Sequence, residues 1–151
     1  MNKIFIKFLT ILIFVSGCGY SPIFSNKNSY FSLQEINSTG NNRLNRIINN
    51  ALNNYKGANS EKNISLTIFT DLKKEISSKD TKGNPKTYKI EVNSKILAKD
   101  SIGNVNEKEF SKSTNYNNRS NKFELKKFEN ETTKNLAEKI SEEIIIYLQS
   151  I

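Results

Sequence analysis

The chain has 151 residues, 23 Lys and Arg against 15 Asp and Glu, a formal net charge of +8, one Cys and no His. Without His, imidazole-based acid, base or metal chemistry is excluded, and a lone Cys excludes an internal disulfide. The length suits one domain with a modest core. Part of the basic excess accompanies abundant Asn and Ile, a mix that AT-rich coding also produces. The remainder favours anionic partners.

In chain order, residues 1–17 have the three-part plan of a secretion signal. Lys3 and Lys7 supply the positive start, residues 8–15 the short apolar run, and Ser16 and Gly17 the small residues before Cys18. A bilayer span needs roughly 20 apolar residues, and residues 4–17 are fewer and include Lys7. Val15-Ser16-Gly17-Cys18 resembles a bacterial lipobox, with Val15 where the usual pattern has Leu. The resemblance implies cleavage between Gly17 and Cys18, and a diacylglyceryl and N-acyl lipid on Cys18. An ordinary signal peptide with a free thiol is the competing reading.

Residues 18–29, with Ser, Asn and Pro22 and no sustained apolar period, read as a lipidated linker. Residues 30–151 read as a single domain. Within it, 30–36 is expected to be a short strand, alternating Phe31, Leu33 and Glu35 with Ser32, Gln34 and Ile36. Ser38, Thr39 and Gly40 are expected to break it and offer helix caps. A helix is expected over 42–55, where Leu44, Ile47, Ile48, Ala51, Leu52 and Tyr55 recur at steps of three and four, with Gly57 as its stop.

Strands are expected over 63–77, 87–100 and 106–116. In the first, Ile64, Leu66, Ile68, Thr70 and Leu72 share a face and Phe69 points the other way. The second alternates most clearly, so one face is buried and one wet. A loop is expected over 78–85 and a turn at Gly103 over 101–104. The third strand is polar enough to be an edge. A long helix follows over 122–150, striped by Leu125, Phe128, Thr132, Leu136, Ile140, Ile144, Tyr147 and Leu148, and widened by Ile145 and Ile146. Glu124, Glu129 and Glu131 suit its N-terminal half. The fold class is α+β, a mainly antiparallel four-stranded sheet with two helices on one face, in the order β-α-β-β-β-α.

Chemistry-bearing patterns are few. Gly57, Gly83 and Gly103 stand alone, so no phosphate-binding loop is present. The carboxylates Glu138, Glu142 and Glu143 read as a solvated helix face. No catalysis, metal or cofactor is expected. Lys89, Lys95 and Lys99 project from one side of one strand, with Lys73 and Lys108 as possible neighbours. They read either as a solubilising face or as an anion contact suited to lipid A phosphates.

The segment Cys18-Gly19-Tyr20-Ser21-Pro22-Ile23-Phe24 resembles the start of LPS-assembly lipoproteins of the LptE type, in particular their α-proteobacterial form. The element order and the helix bearing Leu136, Ala137 and Ile140 are similar too. The resemblance implies a non-enzymatic outer-membrane lipoprotein on the periplasmic side that plugs and supports the LptD β-barrel and contacts lipopolysaccharide. Nucleic acid is not an expected partner. Another envelope lipoprotein, serving as a scaffold or regulator of cell-wall synthesis or barrel assembly, fits the same anchor and size.

Overall fold

A computed structural model describes residues 30–151. The elements are β1 (Ser32–Gly40), α1 (Asn42–Leu52) with a following 3-10 turn (Asn53–Tyr55), β2 (Asn63–Lys79), β3 (Pro85–Asp100), β4 (Val105–Asn117) and α2 (Lys122–Ser150). They form a four-stranded sheet in the order β1-β2-β3-β4. The strands β2, β3 and β4 are an antiparallel meander, and β1 joins β2 in parallel. The sheet is therefore mixed: two of its three pairings are antiparallel, as the mainly antiparallel expectation has it, and the β1–β2 pairing departs from it. The reason is connectivity: α1 lies between β1 and β2 and carries the chain back, so β2 starts again beside the start of β1.

The core lies between one face of the sheet and the two helices. Ile64, Leu66 and Ile68 of β2 and Ile90, Val92, Ile96 and Ala98 of β3 are buried at every second position, as strand geometry requires. From α1 come Leu44, Ile48 and Leu52, and from α2 Leu136, Ala137, Ile140, Ile144, Ile145 and Leu148. The widened α2 stripe divides: Ile145 is core and Ile146 is exposed. Thr133, rather than Thr132, is the buried threonine, and its hydroxyl donates to the Glu129 carbonyl at 2.7 Å.

Strand β1 is longer than expected and does not alternate simply. Phe31, Ser32 and Leu33 are all buried, and the pairing with β2 shifts between Leu33 and Glu35. This bulge moves the inward set from odd to even positions, so Ile36 packs against the core. Ser38, Thr39 and Gly40 continue the strand instead of capping α1. The cap is Asn41, whose side chain accepts from the backbone N–H groups of Arg43 and Leu44.

At this junction Gly40 has φ +97, and a Cβ there would stand 2.0 Å from the Thr70 carbonyl oxygen. Only glycine allows this approach. Thr70 secures it further, accepting from Asn41 N–H at 3.0 Å and donating to the Asn45 side-chain oxygen at 2.6 Å.

Candidate functional surfaces

The register brings the three singled-out lysines to the open face of the sheet, away from the helices. On β2 this face carries Phe69, Asp71, Lys73 and Glu75, on β3 Lys89, Glu91, Asn93, Lys95 and Lys99, and on β4 Glu107 and Glu109. Neighbouring rows include Phe69↔Lys95↔Glu109 and Lys73↔Glu91↔Ser113. Lys108 lies on the helix side of β4, since it pairs with buried Ile96.

Acidic neighbours offset this set. Lys89 meets Glu91 at 2.5 Å and Lys95 meets Glu107 at 2.6 Å, while Lys73 lies 3.9 Å from Asp71. The hydrogen bond from Lys89 holds the Glu91 carboxyl below its ordinary pKa, and Glu107 raises the Lys95 ammonium. Lys99 forms no ion pair among the described residues. The open face is a mesh of alternating charge around exposed Phe69 rather than a concentrated cationic patch. An anion contact at Lys89 and Lys95 has to compete with Glu91 and Glu107.

The positive excess lies elsewhere, at the far end of the molecule. There the β2–β3 turn, the end of β4 and the start of α2 converge: Asn118 N–H donates to the Lys86 carbonyl and its side chain to the Pro85 carbonyl, both at 2.9 Å. Lys79, Lys82, Lys86, Arg119 and Lys122 share this end. Further along α2, a shallow groove is lined by Arg43, Phe123, Lys126, Lys127, Asn130, Glu131 and Lys134, four cations to one carboxylate. Arg43 is fixed by Asn130, through the side-chain oxygen and, at 2.9 Å, the backbone carbonyl. Lys126 and Lys127 form no ion pair among the described residues.

Beneath this end is an ionic and aromatic cluster that the sequence reading did not find. Glu129, assigned to the helix dipole, is instead buried and accepts from Lys74 Nζ at 2.5 Å and Tyr116 Oη at 2.8 Å. Lys74 also lies 4.5 Å from the Tyr88 ring centre, and Tyr88 stacks on Tyr116. Burial pushes the Glu129 carboxyl up, and the bonds from Lys74 and Tyr116 more than offset it, so its pKa lies below the ordinary value. Burial, and then Glu129, raise the Tyr116 phenol. Both donors meet the same carboxylate oxygen, Oε1, and the three side chains organise packing. Its place four residues after Leu125, on the buried stripe of α2, was the available sequence signal of burial, not of its partners.

The two sheet turns are also alike. In residues 80–84 and again in 100–104, an Asp carboxylate oxygen accepts two backbone N–H groups, from Lys82 and Asn84 in one and Ile102 and Asn104 in the other. Each closing Asn returns a side-chain bond to the Asp. The glycines have φ +84 and +96, which fits them to this turn. The spelling Asp-x-x-Gly-Asn, twice, was legible in the sequence.

Cys18, Gly17 and the rest of the lipobox and linker lie outside the described residues. Among the described residues no group of three or more His, Cys, Asp or Glu is placed to hold a metal, and no helix is long and apolar enough to cross a membrane.

No protein-family model matches the sequence, and no curated protein matches it. Solved structures do share the fold. The rare lipoprotein B from Shewanella oneidensis superimposes with a TM-score of 0.61 at 16% identity, over 79% of this chain and 95% of that one. A minor lipoprotein from Acinetobacter baumannii gives 0.61 at 9% identity, over 81% and 92%. An uncharacterized lipoprotein B from Nitrosomonas europaea gives 0.56 at 12%, over 79% and 83%. At these identities the likeness is one of fold.

Proposed function

We propose that the chain is a non-enzymatic envelope lipoprotein, anchored through Cys18 to the periplasmic side of the outer membrane, which plugs and supports an LptD-like β-barrel during lipopolysaccharide assembly. One observation carries the reading: a chain whose N-terminus resembles a lipoprotein signal has a domain fold that solved bacterial lipoproteins share. Fold alone does not specify function, so the anchor segment and the surface chemistry supply the rest.

The open sheet face supports the plug role. Its alternating charges and amides suit a water-lined lumen, where many modest polar contacts replace one apolar interface. A lipid at Cys18 would keep the domain near its barrel and raise its effective concentration there. For lipopolysaccharide phosphates, Lys89, Lys95 and Lys99 remain one contact, with Lys99 the least engaged. The groove of Arg43, Lys126 and Lys127 is the second.

Affinity capture of the full lipidated chain in mild detergent tests the reading. Recovery of a large β-barrel together with lipopolysaccharide is expected. Recovery of a cell-wall synthase without a barrel would sink it. Charge reversal at Lys126 and Lys127 should weaken lipopolysaccharide retention more than reversal at Lys89, Lys95 and Lys99, where released Glu91 and Glu107 confuse the readout.

A further inference from the structure

Tyr30, Ile102, Val105 and Ile146 are 78%, 87%, 58% and 64% exposed, and they gather at one end of the molecule. The register places them. Ser32 pairs with Asn63, so Tyr30 lies just beyond the start of β2. Ser101 Oγ donates to the Asn63 carbonyl at 3.4 Å, which sets the β3–β4 turn beside it. Lys62 Nζ donates to the Leu148 carbonyl at 3.4 Å, which brings in the last turns of α2 and Ile146.

Nothing in local folding asks for Ile102. The turn at residues 80–84 has the same bonds and carries Lys82 at the equivalent position. Core packing does not ask for it either, given its exposure. Four exposed large apolar side chains at one end point to an interaction surface, and the chain itself indicates the occupant. Residues 18–29 join Cys18 to this same end, and twelve residues reach at most about 40 Å.

We propose that this end docks on the bilayer that holds the Cys18 lipid, with Tyr30, Ile102, Val105 and Ile146 seated in the interfacial layer. The proposal rests on the lipid-anchor reading above. A tyrosine ring suits that layer. Lys99, paired in register with Val105, lays its aliphatic stem beside the cluster and directs its ammonium to lipid phosphates. Because the tether makes the second contact intramolecular, a small patch suffices. Docking this way leaves the basic far end pointing away from the anchor.

The test uses the full lipidated chain, in which Cys18 has no thiol to label. A single cysteine is introduced as Ile102→Cys or, as the far-end control, Phe123→Cys, and labelled with an environment-sensitive dye. Each protein is reconstituted on phosphatidylethanolamine–phosphatidylglycerol vesicles with or without nitroxide-labelled lipid. Circular dichroism checks the fold. The expected result is blue-shifted emission and nitroxide quenching at position 102, with neither at 123. Flotation with the vesicles but no quenching at 102 overturns the docking proposal and leaves the anchor standing. Failure to float removes both. A blue shift that grows with protein concentration and ignores nitroxide lipid assigns the end to a second copy, and also overturns the proposal.

Discussion

At the β2–β3 end of the sheet an Asp-x-x-Gly-Asn turn holds Lys82 out to solvent; at the β3–β4 end the same turn holds out Ile102. The contrast continues inward. Behind Lys82 the fold is closed by Lys74, Tyr88, Tyr116 and Glu129, linked by an ion pair, a phenol hydrogen bond and ring stacking. Behind Ile102 it is closed by uncharged packing: Leu33, Leu52, Ile64 and Leu148, all at most 1% exposed, with Phe31 stacked on Tyr55. A shared turn separates what folding requires from what the surface adds. The carboxylate, the glycine and the asparagine are common to both ends, and the two residues between carboxylate and glycine are left to vary.

If the uncharged end is the firmer of the two, Leu148→Ala should have the largest effect. A loss of about 2–5 kcal/mol is expected for a buried Leu truncation, read by urea unfolding and nearly independent of pH. A loss that changed strongly between neutral and acid pH would contradict the division.

Glu129→Gln probes the other end and should cost less, about 1–3 kcal/mol for a disturbed buried hydrogen-bonding group. Its pH signature matters more than its size. The native carboxyl has a lowered pKa, so its contribution is present above the usual carboxylate range and is lost as pH falls through the folded-state value. Unfolding midpoints measured from neutral to acid pH should therefore fall less steeply in the Gln variant. Parallel curves would remove Glu129 from the account.

Smaller effects should come from the turns. Partial burial raises the Asp100 carboxyl, but its bonds to Asn104 and Ile102 leave it below its ordinary pKa, and the bonds from Asn84 lower Asp80. Asp80→Ala and Asp100→Ala should lower the denaturation midpoint by similar amounts, since the two bond sets match. A marked inequality would show that the turns are not equivalent supports. The smallest change is expected for Lys82→Ile and Ile102→Lys. Both residues stand in solvent, so the midpoint should hardly move. A large shift in either would mean that the third position does fold-specific work.

Much of this architecture was legible because it rests on periodicity. The two-residue alternation of β3 and the three-and-four spacing of α2 report burial directly, and α2 begins and ends where the spacing places it. What escaped depends on pairing across the fold. The parallel entry of β1 follows from α1 returning the chain, and the bulge at Leu33 and Glu35 reverses an alternation that single residues cannot reveal. Glu129 carries no mark in the sequence of its bonds to Tyr116 and Lys74. The lysines of β3 share one face as their spacing requires, but Glu91 offsets Lys89 and Glu107 offsets Lys95, and Glu107 belongs to another strand.

The route of the chain also bears on how the fold assembles. The meander β2–β3–β4 closes through two tight turns, whereas β1 finds β2 only after the whole crossover has been brought round. Local pairings of the first kind form early, and closures of the second kind carry the greater loop entropy. The strand next to Tyr30 should then be the last to lock and the first to exchange its amide protons, so the part of the domain nearest the proposed anchor completes its folding when the rest is already in place.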